Sequence, residues 1–162
     1  GGGSLLASWN PHPGGTRDRL TFVVTHGGHG LVPTNFATAL WLQKALNANV
    51  LILDAYWSRG IEENWSTGTR VGASMRALDA IAAGRWLRNT QGTDPNKTYL
   101  MGDSQGGWTV LRMFTDEPFW QNEVRQLYQA GHRPLPGVQG ERELVVSSPG
   151  ALYRASHRVY GR

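Results

Sequence analysis

The stretch Gly102-Asp103-Ser104-Gln105-Gly106 carries the residue types that most directly suggest chemistry. An apolar run of Tyr99, Leu100 and Met101 precedes it, and Val110, Leu111, Met113 and Phe114 follow near helical spacing. Gly-x-Ser-x-Gly between a strand and a helix is the context of a nucleophile elbow, a sharp turn that lifts a serine hydroxyl clear of the backbone. The demand is steric. Strand and helix approach closely enough that the residues two before and two after the serine must lack a Cβ, and Gly102 and Gly106 meet it. Gln105 would offer its backbone N–H at the positive end of the new helix, where an oxyanion is favoured. A chain with 21 glycines produces this pentapeptide by chance, so the weight rests on its context. The bland alternative is a glycine-rich turn without chemistry. A P-loop is excluded because no Gly-Lys-Ser/Thr occurs.

The elements that must position this serine can be read from apolar periodicity. Leu20 to Thr25 and Val50 to Asp54 are apolar on both faces, as central parallel strands covered on both sides require. Helices are expected over about Phe36 to Leu46, Arg70 to Arg88 and Phe119 to Tyr128. The second of these sets Val71, Met75, Leu78, Ile81, Ala82 and Trp86 near helical spacing. Leu5 to Trp9 reads as an edge strand and Leu144 to Ser148 as the last strand. The alternation of strand and helix predicts an α/β fold, a three-layer α/β/α sandwich on a mostly parallel sheet with right-handed crossovers. In such sheets ligands sit at the carboxyl ends of strands, where His26-Gly27-Gly28, Asp54 and Ser104 all fall.

Taken together, Val23-Val-Thr-His-Gly-Gly28, the stretch from Leu51 to Ile61 and Asp94 to Trp108 resemble the α/β-hydrolase superfamily. Within it the chain looks like a serine esterase of the dienelactone-hydrolase type. The likeness covers about Arg19 to Phe119, with the strand at Leu144 as a further candidate. It implies hydrolysis of small-molecule carboxylic esters without a cofactor, with Ser104 as nucleophile. It also implies an oxyanion hole from Gln105 and the His26, Gly27 and Gly28 segment, on glycines that let N–H groups approach a developing charge. The alternative for His26 to Gly30 is a plain tight turn. A dinucleotide loop is disfavoured because Pro33 stands where its third glycine should be. Dienelactone hydrolase itself uses a cysteine, which this chain lacks.

The resemblance also exposes a gap. The family places its triad acid and His after strands beyond the elbow strand, and two further βα units of roughly 30 residues each do not fit here. Asp116 and Glu117 lie about 18 Å along the elbow helix, at its wrong end. His132 and His157 read as solvated. The expected molecule is thus a hydrolase-type sheet stopping after the strand that follows the nucleophile helix. That strand would form an apolar edge open to a second copy or a partner chain. The alternatives are an inert fragment or pseudo-enzyme with a binding role, and a serine peptidase of the prolyl-oligopeptidase kind.

Composition narrows the remainder. The 162 residues, 40% hydrophobic and 17% charged, suit one soluble domain over 5–162, with Gly1 to Ser4 as a linker or the start of a fragment. The charge of +4 is scattered without aromatic interleaving, which argues against nucleic acid. No apolar run is long enough for a membrane span. Absence of cysteine removes disulfides and thiolate metal sites and leaves the compartment open. His26 and His29 lack a third ligand at metal spacing, so no metal is expected. Asp54 is expected to pair with Arg59 rather than bind substrate, and Asp103 to cap the turn. Trp57, Trp65 and Trp108 read as packing rather than pocket walls. The cluster Arg154, His157, Arg158 and Arg162 reads as a solvated tail.

Overall fold

The computed structural model describes residues 4–62, 71–128, 142–148 and 151–157. Strands β1 (Ser4–Asn10) and β2 (Thr21–Thr25) are followed by helix α1 (Pro33–Leu46) and strand β3 (Asn49–Asp54). Then come helix α2 (Ala73–Gln91), strand β4 (Thr98–Gly102), helices α3 (Gln105–Met113) and α4 (Pro118–Tyr128), and strands β5 (Arg142–Ser148) and β6 (Ala151–His157).

The sheet order is β4-β2-β3-β1-β5-β6. Strands β2 and β3 pair in parallel, as do β2 and β4, which brings Thr25 level with both Leu53 and Gly102. Every residue of β3 is buried because both of its faces are covered. Val23, Leu51 and Leu53 face α2, through Ala77, Ile81, Trp86 and Leu87. Their neighbours Val24, Val50 and Ile52 point the other way, onto Ala39 and Leu42 of α1. The two-residue period of a strand thus yields two cores on opposite faces of one sheet. Small residues at Ala77, Ala80, Ala82 and Ala83 let α2 lie close on the sheet, and Trp86 meets Trp9 edge-on at 5.8 Å.

This is a small α/β fold on an open, mostly parallel sheet with helices on both faces. It departs from the sequence reading at three places. Leu5 to Trp9 is not an edge: β1 lies inside the sheet, antiparallel to β3 and parallel to β5. Its alternation of Leu5, Ala7 and Trp9 buries one face, which fits an inner and an outer strand equally. The strand at Leu144 does not extend the parallel series past β4 but joins β1 on the far side. It does not end the sheet either, since β6 pairs with it antiparallel and takes Arg154 and His157 out of the expected tail. An apolar pattern fixes which faces a strand buries; it does not say which neighbour supplies its hydrogen bonds. Among the described residues the open edges are therefore β4 and β6. Arg158 and Arg162 lie outside the described residues.

The connections define a crevice. From β2 the chain crosses through α1 on one face to β3, then returns through α2 on the other face to β4, on the opposite flank of β2. Helix α3, after β4, packs Met113 into the same core as α2, so the loops leaving β2 and β4 diverge to opposite faces, which is the switch point where α/β sheets accept ligands.

Candidate functional site

Ser104 sits at this switch point, two residues after Gly102, the last residue of β4, and immediately before Gln105, the first of α3. Its φ of 48° and ψ of −118° place it in a region that a residue with a Cβ rarely adopts. Such strain persists only where the surroundings over-determine it. The flanking glycines show why it does so here. A Cβ on Gly102 would lie 2.4 Å from the Gly106 carbonyl carbon and from Thr25 Oγ1, and one on Gly106 would lie 2.4 Å from the Thr25 carbonyl oxygen. The end of β2, the end of β4 and the start of α3 are in backbone contact, so no side chain fits at either glycine. Thr25 ties the junction with its hydroxyl, which lies 3.3 Å from the Gly106 carbonyl. The Asp103 carbonyl accepts the Gly106 N–H at 2.7 Å, and Ser104 and Asp103 themselves are exposed. That turn is made by the Asp103 backbone, and its carboxylate faces Gly27.

The loop after β2 lies against this turn. A Cβ on Gly27 would stand 3.6 Å from the Ser104 Cβ and 3.1 Å from Asp103 Oδ2. Gly28 is buried beside it, and Gly30 closes a turn onto the Gly27 carbonyl at a φ of 79°. Gly27 thus shares one crevice with Ser104, next to Gln105 at the head of α3, where the helix presents its positive end.

His26 has a different surrounding. Its ring is fully buried and faces β3: Nε2 accepts the Ala55 N–H at 3.0 Å, so Nδ1 carries the proton and lies 2.7 Å from the Gly27 carbonyl. Both ring nitrogens are engaged by backbone groups, one in its own loop and one just after β3. Asp54, 1% exposed, accepts the N–H groups of Tyr56 and Trp57 on Oδ1, at 2.8 and 3.1 Å. Burial works against its charge. The N–H groups of Tyr56 and Trp57 favour the charge, and the carboxyl is held below its usual range. Arg59 does not pair with Asp54, as expected from the sequence, but with Asp79 on α2 at 2.9 Å, while donating to the Ala55 carbonyl at 2.6 Å. Asp54 already has two N–H donors one turn ahead in sequence, whereas buried Asp79 requires a cation.

Two residues of this site were not legible in the pattern. Tyr56 is fully buried, with its ring 4.4 Å from that of His26, and its hydroxyl donates to Gln105 Oε1 at 2.9 Å. Arg76 is 1% exposed and donates to the same hydroxyl at 3.2 Å and to the His26 carbonyl. Burial lowers its pKa, while Tyr56, Asp79 and Asp103 act in the opposite direction. The periodic reading assigned Met75 to the inner face of the helix, yet Met75 is 37% exposed and Arg76 points inward. The available signal was the stripe Arg76, Ala80, Ala83, Leu87, in which an arginine stands at the head of an apolar helical row.

The other candidates are distributed away from Ser104. Glu117 pairs with Arg112 at 2.7 Å at the far end of α3, in the turn that also holds Asp116. His157 ends β6, at the opposite edge of the sheet from β4; five strand spacings separate them, about 24 Å. His29 is exposed on the loop after β2. Trp57 and Trp108 are largely exposed rather than packed. His132 and Trp65 lie outside the described residues. Among the described residues no group of three potential ligands could hold a metal ion, and no helix is long and apolar enough to cross a membrane.

No protein-family model, no curated protein and no solved structure matches this chain.

Proposed function

We propose that this chain carries the nucleophile and oxyanion half of a serine hydrolase of the α/β-hydrolase type, acting on carboxylic esters. The observation that carries the reading is the strained backbone of Ser104, held at a strand-to-helix turn against Gly27 of the neighbouring loop. In this mechanism Ser104 Oγ attacks the ester carbonyl carbon and its proton passes to a base. The carbonyl electron pair moves onto oxygen, where the N–H groups of Gln105 and of the Gly27/Gly28 segment stabilise it. Collapse expels the alcohol, and water releases the acyl group from Ser104. The base and its acid are outside the constellation assembled by the described residues.

The test is intact mass after treatment with a fluorophosphonate, beside a Ser104→Ala control. One adduct that disappears in the control supports the reading; a folded protein without an adduct ends it. A second reading, an inert hydrolase-like domain that binds rather than turns over its ligand, draws on the engagement of both His26 ring nitrogens within the fold. It predicts no adduct and saturable binding of an ester analogue that Ser104→Ala leaves intact.

A further inference from the structure

Behind the loop after β2, His26, Asp54, Tyr56 and Arg76 form a cluster in which no member is more than 1% exposed. Arg76 is its least expected component. Its two terminal nitrogens donate to neutral oxygens, the Tyr56 hydroxyl and the His26 carbonyl, and its Nε has no hydrogen-bond partner among the described residues. Desolvating a guanidinium for two neutral acceptors is costly, and a methionine would fill the same space without that cost.

What distinguishes these acceptors is where they lead. In a trans peptide the C=O and the N–H point in opposite directions. Holding the His26 carbonyl on the guanidinium therefore turns the Gly27 N–H of the same peptide away from the buried cluster, on the loop segment in contact with Ser104. The second acceptor, Tyr56, passes a hydrogen bond to the side chain of Gln105, the first residue of α3. One guanidinium thus reaches the His26–Gly27 peptide directly and the side chain of Gln105 through Tyr56. Resting on the hydrolase reading above, we propose that Arg76 is a positioning residue for the oxyanion hole. It orients the Gly27 N–H directly through the His26 carbonyl, and Gln105 through the Tyr56 hydroxyl. Its positive charge also stands behind the two donors as negative charge develops on the substrate oxygen.

The experiment is the time course of fluorophosphonate labelling of the full chain, resolved into kinact and KI. It compares wild type, Arg76→Met, Arg76→Lys and Tyr56→Phe, each with a melting curve. The expected result is a fall in kinact of about tenfold or more for Arg76→Met, with KI unchanged, partial recovery in Arg76→Lys and a smaller fall in Tyr56→Phe. A folded Arg76→Met labelled at the wild-type kinact overturns the proposal. So does a loss that follows melting temperature alone, with Lys no better than Met, because that is a merely structural role. Should Arg76→Met not fold, Tyr56→Phe decides, and wild-type kinact in that variant overturns the proposal. A wild type that takes no label defeats the hydrolase reading first, and the wild-type arm alone reveals it.

Discussion

The two ends of the contact between β4 and the rest of the molecule are built in opposite ways. At its carboxyl end, β4 meets β2 and α3 so closely that neither Gly102 nor Gly106 leaves room for a single Cβ. Along its outer side, Tyr99 and Met101 are 50% and 43% exposed, and Trp108 and Leu111 of α3 stand largely in solvent. A buried polar framework then backs the tight end: Asp54, Tyr56, Arg76 and the His26 ring leave the loop after β2 few alternatives. Among the described residues, the outer side shows the stacking of Tyr99 on Phe22, at 5.5 Å. The difference shows where this fold uses its specificity. The crevice is over-determined by backbone contact and buried hydrogen bonds, as a strained serine requires, while among the described residues the flank of the same strand is an uncovered apolar edge.

The sharpest way to break that comparison is Gly106→Ala. The added carbon would meet the Thr25 carbonyl at 2.4 Å, and backbone cannot yield as a flexible side chain can. A loss of about 3 kcal/mol or more is expected from denaturant unfolding, or failure to fold. Asp54→Asn should come next, at about 2 kcal/mol, because the carboxylate holds two backbone N–H groups in a buried site. Its pH signature follows from a carboxyl held below its usual range. The stabilisation is complete above the ordinary value of 3.8 and is lost as pH falls through the lower folded-state value. Acid titration of unfolding should therefore show a weakening below about pH 4 that Asp54→Asn flattens.

A smaller effect of opposite sign is expected at the nucleophile. Ser104→Gly removes the Cβ from a positive-φ position and should stabilise the fold by about 1 kcal/mol, read as a raised denaturant midpoint. No gain would mean that the turn is not strained and would weaken the elbow reading. The smallest effect belongs to the other region. Tyr99→Lys on the open edge should change stability by no more than about 0.5 kcal/mol, since half the ring is already in solvent. The charge should lower any self-association seen by light scattering, as charged side chains do on exposed edges. A large loss of stability there would show that the flank is as tightly specified as the crevice, and the contrast would fall.

Much of the tight region was legible in the chain. Gly102 and Gly106 could be read as sterically required because strand-like and helix-like patterns stop on either side of Ser104. The strands at Leu20 and Val50 announced burial on both faces by lacking polar alternation. Arg76 was not legible, because helical periodicity resolves a face only to within about one residue. Met75 and Arg76 are neighbours whose apolar character points one way and whose burial points the other. Arg59 illustrates the same limit. Its partner Asp79 is twenty positions away on another element, while Asp54, close in sequence, is satisfied by local N–H groups.

The sequence by itself determined the local turn chemistry and the identity of most elements, because these depend on glycine placement and apolar period over a few residues. It also determined that Ser104 would stand at a strand's carboxyl end. The tertiary structure alone decided the neighbours: that β1 is internal, that β5 joins β1 rather than β4, and that an arginine lies beneath the Ser104 crevice. Strand pairing and burial of charge depend on contacts between residues far apart in the chain, and no local pattern records which distant group will be there to receive the hydrogen bond.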